Sequence, residues 1–354
     1  MIRSAGARLA AGVDRTFGAF ALARSKRSRQ SSRAESLGHA ERLEALGAIR
    51  ALYDRPEHFA DPDTFFPNVS PPAVSEKRVR RLPDGDVVDL RWEGAYAPYA
   101  DVVAERYLST RANHTVYARV LRHAGTPRPA IVLVHGYLGG AFAVEERMWP
   151  VRWLYERGLD VVLAVLPFHG LRSGGRVRPP FPSSDPRITI EGFRQAIGDL
   201  RALRGYFAAR GCPAVGVMGM SLGGYTTALL ATVEPELAFA VPVIPLASIA
   251  DFARDGGRLV GTEAERALQH AALEEAFRVV SPLARPALLP RDRMLILAGE
   301  ADRITPLAHA ERLAAHLDAP VRKFHGGHLL QLGRAEALRD VARMLARLGL
   351  LTPR

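Results

Sequence analysis

Residues 219–223 read Gly219-Met220-Ser221-Leu222-Gly223, a G-x-S-x-G string with an informative setting. An apolar run, Val215 to Met218, leads into it, and a helix-forming run, residues 226–233, follows. Strand, sharp turn and helix in that order hold the middle residue in strained backbone geometry. Glycines two positions away on either side let neighbouring backbone pass close by. Ser221 Oγ would then stand at the end of a buried strand, near the positive end of a helix. That is the placement of a nucleophile; the bland alternative is an ordinary glycine-rich turn.

Serine alone is a poor nucleophile at neutral pH. It needs a base within hydrogen-bond reach, and the base needs an acid to orient it. Asp302 is the expected acid, in a loop that directly follows the apolar stretch Met294 to Leu297. Glu300 is the local alternative and Asp251 the distant one, and an aspartate here could simply cap the helix starting near Pro306. His328 is the expected base, in Phe324-His325-Gly326-Gly327-His328-Leu329-Leu330, where two glycines give the backbone freedom to bring it over the sheet. The nearby His325 reads as part of a strand end, with a packing role. An oxyanion hole needs two N–H donors aimed at the developing charge. Leu222 N–H follows the nucleophile, and Tyr137 N–H is the second choice, from the loop His135-Gly136-Tyr137-Leu138-Gly139-Gly140. His135, Gly136, Leu138, His169 and Met220 are expected around the substrate pocket, although His169 reads more naturally as a residue holding its own loop.

These groups must be placed by strands. From about residue 76 the chain alternates strand and helix patterns. Residues 87–92 and 115–121 read as early strands, and 129–135 and 159–166 as buried ones. Helices are expected over 145–157 and 190–210. After the Ser221 elbow come strands at 237–246, 293–298 and 321–325, with helices at 307–317 and 335–348. Residues 250–290 form a helical insertion. Such alternation means a mostly parallel sheet covered on both faces, an α/β fold. Three regions are expected: a basic amphipathic segment and linker at 1–33, a helical and irregular extension at 34–75, and the α/β domain from 76 to 354.

Composition narrows the classes. The net charge is +11, of which residues 1–33 supply +7 with eight basic residues and one acid, Asp14. The body shows no basic face interleaved with aromatics, so nucleic acid is not an expected partner. The single cysteine, Cys212, excludes an intramolecular disulfide and sits in a Gly-Cys-Pro turn. No apolar run approaches the roughly 20 residues of a spanning helix. Ile2, Leu9, Val13, Phe17 and Phe20 share one helical face with Arg8 and Arg15 opposite. That pattern suits a helix on an anionic membrane surface or one docked on the protein's own body. Asp14 and Arg15 interrupt what would be the apolar core of a signal peptide, so the expected location is cytoplasmic, with peripheral membrane contact through residues 1–33. Asn68 and Asn113 match a glycosylation pattern that this location would leave unused.

The elbow at Gly219–Gly223, the His135-Gly136 loop, the acid loop from Gly299 to Pro306 and Gly327-His328, in the order Ser…Asp…His, resemble the α/β-hydrolase superfamily over residues 76–350. One departure is Pro167-Phe168-His169-Gly170, where many relatives carry an aspartate-led, glycine-rich turn. The resemblance implies a serine esterase or lipase-like enzyme with residues 250–290 as a lid. It needs no metal or organic cofactor, and its substrate is a small-molecule or lipid-like acyl compound. An acyltransferase using the same triad and a non-catalytic binding protein on the same scaffold are the alternatives. Oligomeric state is not legible.

Overall fold

The computed structural model describes residues 6–14, 37–69 and 72–351. Its centre is a nine-stranded sheet: β1 (Ser75–Leu82), β2 (Gly85–Glu93), β3 (Thr115–His123), β4 (Ala130–Val134), β5 (Asp160–Ala164), β6 (Val215–Met220), β7 (Ala240–Val243), β8 (Ile296–Gly299) and β9 (Val321–Phe324). The order is β1-β2-β3-β5-β4-β6-β7-β8-β9. The first three strands are antiparallel, β3 meets β5 antiparallel, and every later pair is parallel. This is the mostly parallel sheet expected from the alternating pattern.

The central strands are buried on both faces, and their alternation sorts side chains into two cores. Ala130, Val132 and Val134 of β4 face one core, shared with Phe193, Ile197 and Leu200 of the long helix Pro186–Ala209. Ile131 and Leu133 face the other, with Val341 and Leu345 of the last helix, Arg334–Arg347. Full burial of each such side chain contributes about 1.5–3 kcal/mol. The long helix starts four residues before the expected boundary because Asp185 caps it, accepting from Arg187 N at 3.1 Å, with Pro186 next. The expected helix at 145–157 is two, Phe142–Met148 and Val151–Tyr155, broken at Pro150.

Three features go beyond the sequence pattern. Strand β1 begins the sheet although seven of its eight residues are exposed and five are charged, which suits an edge strand. The extension packs into the body: Leu46, Ile49, Tyr53, Phe65 and Phe66 enter the main core. Buried Glu191 ties it down, accepting from Tyr53 OH at 3.0 Å and from the backbone N–H groups of Tyr99 and Ala100 at 3.0 Å. In residues 6–14, which are helical, the inward face is Ala7, Ala10, Ala11 and Asp14, while Leu9 and Val13 point outward. This stretch docks on the body against Ala301 and Leu330. Ile2, Phe17, Phe20 and the linker at 15–33 lie outside the described residues.

The insertion folds as helices Ile249–Asp255 and Glu263–Ala276. It leans on the extension through Gln269 Nε2–His39 Nδ1 at 3.0 Å and Arg278–Asp54 at 3.0 Å. Asn113 is buried and spent on internal hydrogen bonds, to Phe168 N and Gln195, so it is closed to glycosylation. No helix among the described residues is long and apolar enough to cross a membrane.

Candidate active site

Strand β6 ends at Met220, and the next residue turns sharply into helix Leu222–Leu230. Ser221 sits at φ 55° and ψ −113°, outside the ordinary regions for a residue with a side chain. Its N–H donates to Val243 O at 2.9 Å, fixing the turn to β7. Glycines are required on both sides. A Cβ at Gly219 would lie 2.1 Å from Gly223 O, and one at Gly223 would lie 2.2 Å from Val134 O. The backbone is packed that closely to hold one hydroxyl at the carboxyl edge of the sheet.

The loop after β9 brings His328 over that hydroxyl. His328 Nε2 is 3.0 Å from Ser221 Oγ, and Nδ1 is 2.8 Å from Asp302 Oδ2. The network assigns the proton to Nδ1, donated to the carboxylate, and leaves Nε2 as the acceptor facing serine. Asp302 is buried and doubly held. Its Oδ1 accepts from Ile304 N and Thr305 N at 2.8 Å each, and its Oδ2 accepts from Thr305 Oγ1 at 3.0 Å. Thr305 was not singled out from the sequence. Asp302 and Thr305 three residues apart form an Asx-type turn, a signal legible in retrospect. The other acid candidates are occupied elsewhere. Glu300 pairs with His325, 2.7 Å away on the surface. Asp251 binds Arg312, Arg254 and His270 within and beside the insertion. Glu274 joins that cluster, but its Oε1 also takes Arg312 Nη1 at 2.8 Å, so a guanidinium already occupies the space between the two carboxylates.

The loop His135–Gly140 lies against the elbow. A Cβ on Gly136 would sit 3.4 Å from Ser221 Cβ, so the backbone leading to Tyr137 passes over the nucleophile. Tyr137 is 45% exposed and Leu138 52%, and Leu138 takes a positive φ of 68°. Burial of the phenol raises the Tyr137 pKa, against the lowering influence of Arg178 and of Arg258 from the insertion. Met220 sits beside the elbow, its sulfur accepting from Gln331 Nε2 at 3.3 Å.

His135 and His169 are corrections to the pocket reading. Both rings are buried instead of lining an open pocket. His135 Nδ1 is 2.8 Å from Gly136 O, and Nε2 accepts from Leu166 N at 3.0 Å. Gly139 and Gly140 clamp the ring so closely that a Cβ on either would come within 2.9 Å of it. His169 Nδ1 is 2.8 Å from Pro167 O, which fits the loop-holding role. Burial pushes the pKa of His169 down to about 3, helped by His135 beside it, and burial lowers His135 as well. Buried Arg172 completes the support, donating to Val165 O, Asn113 O and Asp199.

Known proteins resemble this chain at three levels. Residues 199–332, which include Ser221, Asp302 and His328, match the prolyl oligopeptidase family. Two uncharacterised proteins of Mycobacterium tuberculosis, from strains CDC 1551 / Oshkosh and ATCC 25618 / H37Rv, are 32% identical over 300 residues, 82% of this chain and 71% of each relative. Among solved structures, acetyl xylan esterase 1 from Thermoanaerobacterium sp. JW/SL YS485 aligns with a TM-score of 0.52 at 17% identity, covering 86% of this chain and 92% of its own. The acetyl xylan esterase from Paenibacillus sp. R4 aligns with a TM-score of 0.53 at 16% identity, with the same coverage.

Proposed function

The chain belongs to the α/β-hydrolase superfamily, in one family with the two mycobacterial proteins, and from that premise we propose that it is a serine hydrolase cleaving carboxylic esters through an acyl-enzyme on Ser221. One observation carries the reading: His328 stands 3.0 Å from Ser221 Oγ on one side and 2.8 Å from Asp302 on the other. In this mechanism His328 takes the serine proton as Oγ attacks the acyl carbonyl. Asp302 keeps the imidazole in the required tautomer and stabilises its cationic form. The N–H groups of Leu222 and Tyr137 receive the oxyanion. The leaving alcohol takes its proton from His328, and water attacks the acyl-enzyme by the same route.

Exposed apolar groups around the mouth support an acyl chain or lipid-like substrate: Tyr137 and Leu138 on the oxyanion loop and Leu329 beside the base. The outward Leu9 and Val13, with the cationic stretch at 1–33, support peripheral contact with an anionic membrane. The match to the prolyl oligopeptidase family favours one second reading, amide hydrolysis by the same triad.

A fluorophosphonate probe tests the central reading. It labels wild-type protein, and Ser221→Ala abolishes labelling with the fold unchanged by circular dichroism. Labelling that survives the substitution overturns the assignment. Turnover of p-nitrophenyl esters against peptide p-nitroanilides then separates ester from amide hydrolysis.

A further inference from the structure

The acid and the base reach the site on two separate loops, and a residue far away in sequence joins them. Asp14, on the helical stretch at 6–14, is 1% exposed. Its Oδ2 accepts from Arg303 N at 3.2 Å and from His328 N at 2.6 Å, and its Oδ1 accepts from Leu329 N at 3.0 Å. One of these N–H groups is that of the residue after Asp302; the other two belong to the base and its neighbour. A single carboxylate therefore spans both loops.

The surroundings are shaped for it. A Cβ at Gly327 would lie 2.4 Å from Asp14 Oδ2, so only glycine there admits the carboxylate. Ala7, Ala10 and Ala11 let the helix lie close against Ala301 and Leu330, the first in the acid loop and the second in the base loop. A Cβ on Gly6 would meet Leu332 at 3.1 Å. Three backbone donors converging on one carboxylate give charge-assisted hydrogen bonds, roughly twice as strong as neutral ones.

We propose that Asp14 is a positioning residue for the triad: the N-terminal segment, through this one carboxylate, sets the separation of the Asp302 and His328 loops. The inference rests on the serine-hydrolase reading. Asp14 touches neither the serine nor the acyl group, so its loss acts on the chemical step and leaves substrate binding alone. A displacement of about 1 Å in such a site costs on the order of 100-fold.

The test uses the full chain with p-nitrophenyl acetate, the fluorophosphonate probe and amide hydrogen exchange. Asp14→Ala lowers kcat by about 10–100-fold with KM held within about twofold. It also speeds exchange of the His328 and Leu329 amides at least about tenfold, since they lose their acceptor. Asp14→Asn, which keeps the shape and one acceptor oxygen, gives intermediate values and carries the test if the alanine variant does not fold. Gly327→Ala slows wild-type protein but has a smaller effect in the Asp14→Ala background, where the added methyl no longer displaces a carboxylate. A folded Asp14→Ala protein that labels at the wild-type rate, or unchanged exchange at residues 328 and 329, overturns this inference alone. Absence of labelling in wild type defeats the hydrolase reading, and this inference falls with it.

Discussion

Two histidines sit within one active-site end of the sheet and share a bonding pattern, yet only one is suited to be a base. His328 and His135 each present one ring nitrogen as a donor and the other as an acceptor. Their partners differ. His328 donates to a carboxylate and faces a hydroxyl, so taking a proton creates a cation beside an anion. His135 donates to a backbone carbonyl and accepts from the Leu166 N–H. A proton on its Nε2 would set two donors against each other in a buried place. The second arrangement disfavours the charged ring, and burial lowers the His135 pKa. Proximity to the serine is therefore a poor guide to chemistry; the partner of each nitrogen decides.

The largest effect expected from this contrast is catalytic. His328→Ala should lower the acylation rate with p-nitrophenyl acetate by about 10⁴-fold or more, and Asp302→Asn by about 10³–10⁴-fold, with little change in urea stability. His135→Leu should act in the opposite order. It leaves the Leu166 N–H and the Gly136 carbonyl without ring partners in a buried site, costing about 2–6 kcal/mol of stability at roughly 1–3 kcal/mol per orphaned group. Its labelling rate should fall far less than that of His328→Ala, because the oxyanion loop shifts while nucleophile and base remain. Urea unfolding and labelling kinetics on the two variants check the division. A His135→Leu protein of wild-type stability that no longer labels would erase the distinction.

Much of this site was open to a reader of the sequence, for an identifiable reason. Ser221 and Asp302 follow apolar strands and His328 follows a short edge strand and a Gly-Gly pair, and strands such as β4 and β5 announce themselves by runs rich in Val, Ile and Leu. What escaped depends on contacts remote in sequence. Strand β1 has no apolar alternation; its Glu76 is held by Arg122, Tyr206 and Arg210 from elsewhere. The face of residues 6–14 that docks is hard to see in sequence because Leu9 and Val13 dominate any hydropathy pattern, whereas docking uses alanines that permit close approach. His135 has the type and place of a pocket residue, and only the backbone atoms around its ring reveal it as a support; the loop-holding role of His169 was legible in its own loop.

The smallest effect is on the pH dependence of stability, and it isolates His169. An unfolded histidine titrates near 6.5, and burial holds this one to about 3 in the folded state. Between those values the unfolded chain binds a proton that the folded chain does not. The stabilisation is therefore complete above about pH 6.5 and is lost as pH falls toward 3, at about 1.4 kcal/mol per pH unit, or roughly 2 kcal/mol by pH 5. His135, also lowered by burial, adds a slope of the same sign. His169→Asn places an amide N–H where Nδ1–H donates to the Pro167 carbonyl and removes the titration. Its urea-derived stability, measured from pH 7 to pH 5, should decline by about 2 kcal/mol less than that of wild type over that range. Parallel curves would mean that His169 accepts its proton in the folded protein. The ring beneath the oxyanion loop would then be free to charge, and the contrast with His328 would rest on His135 alone.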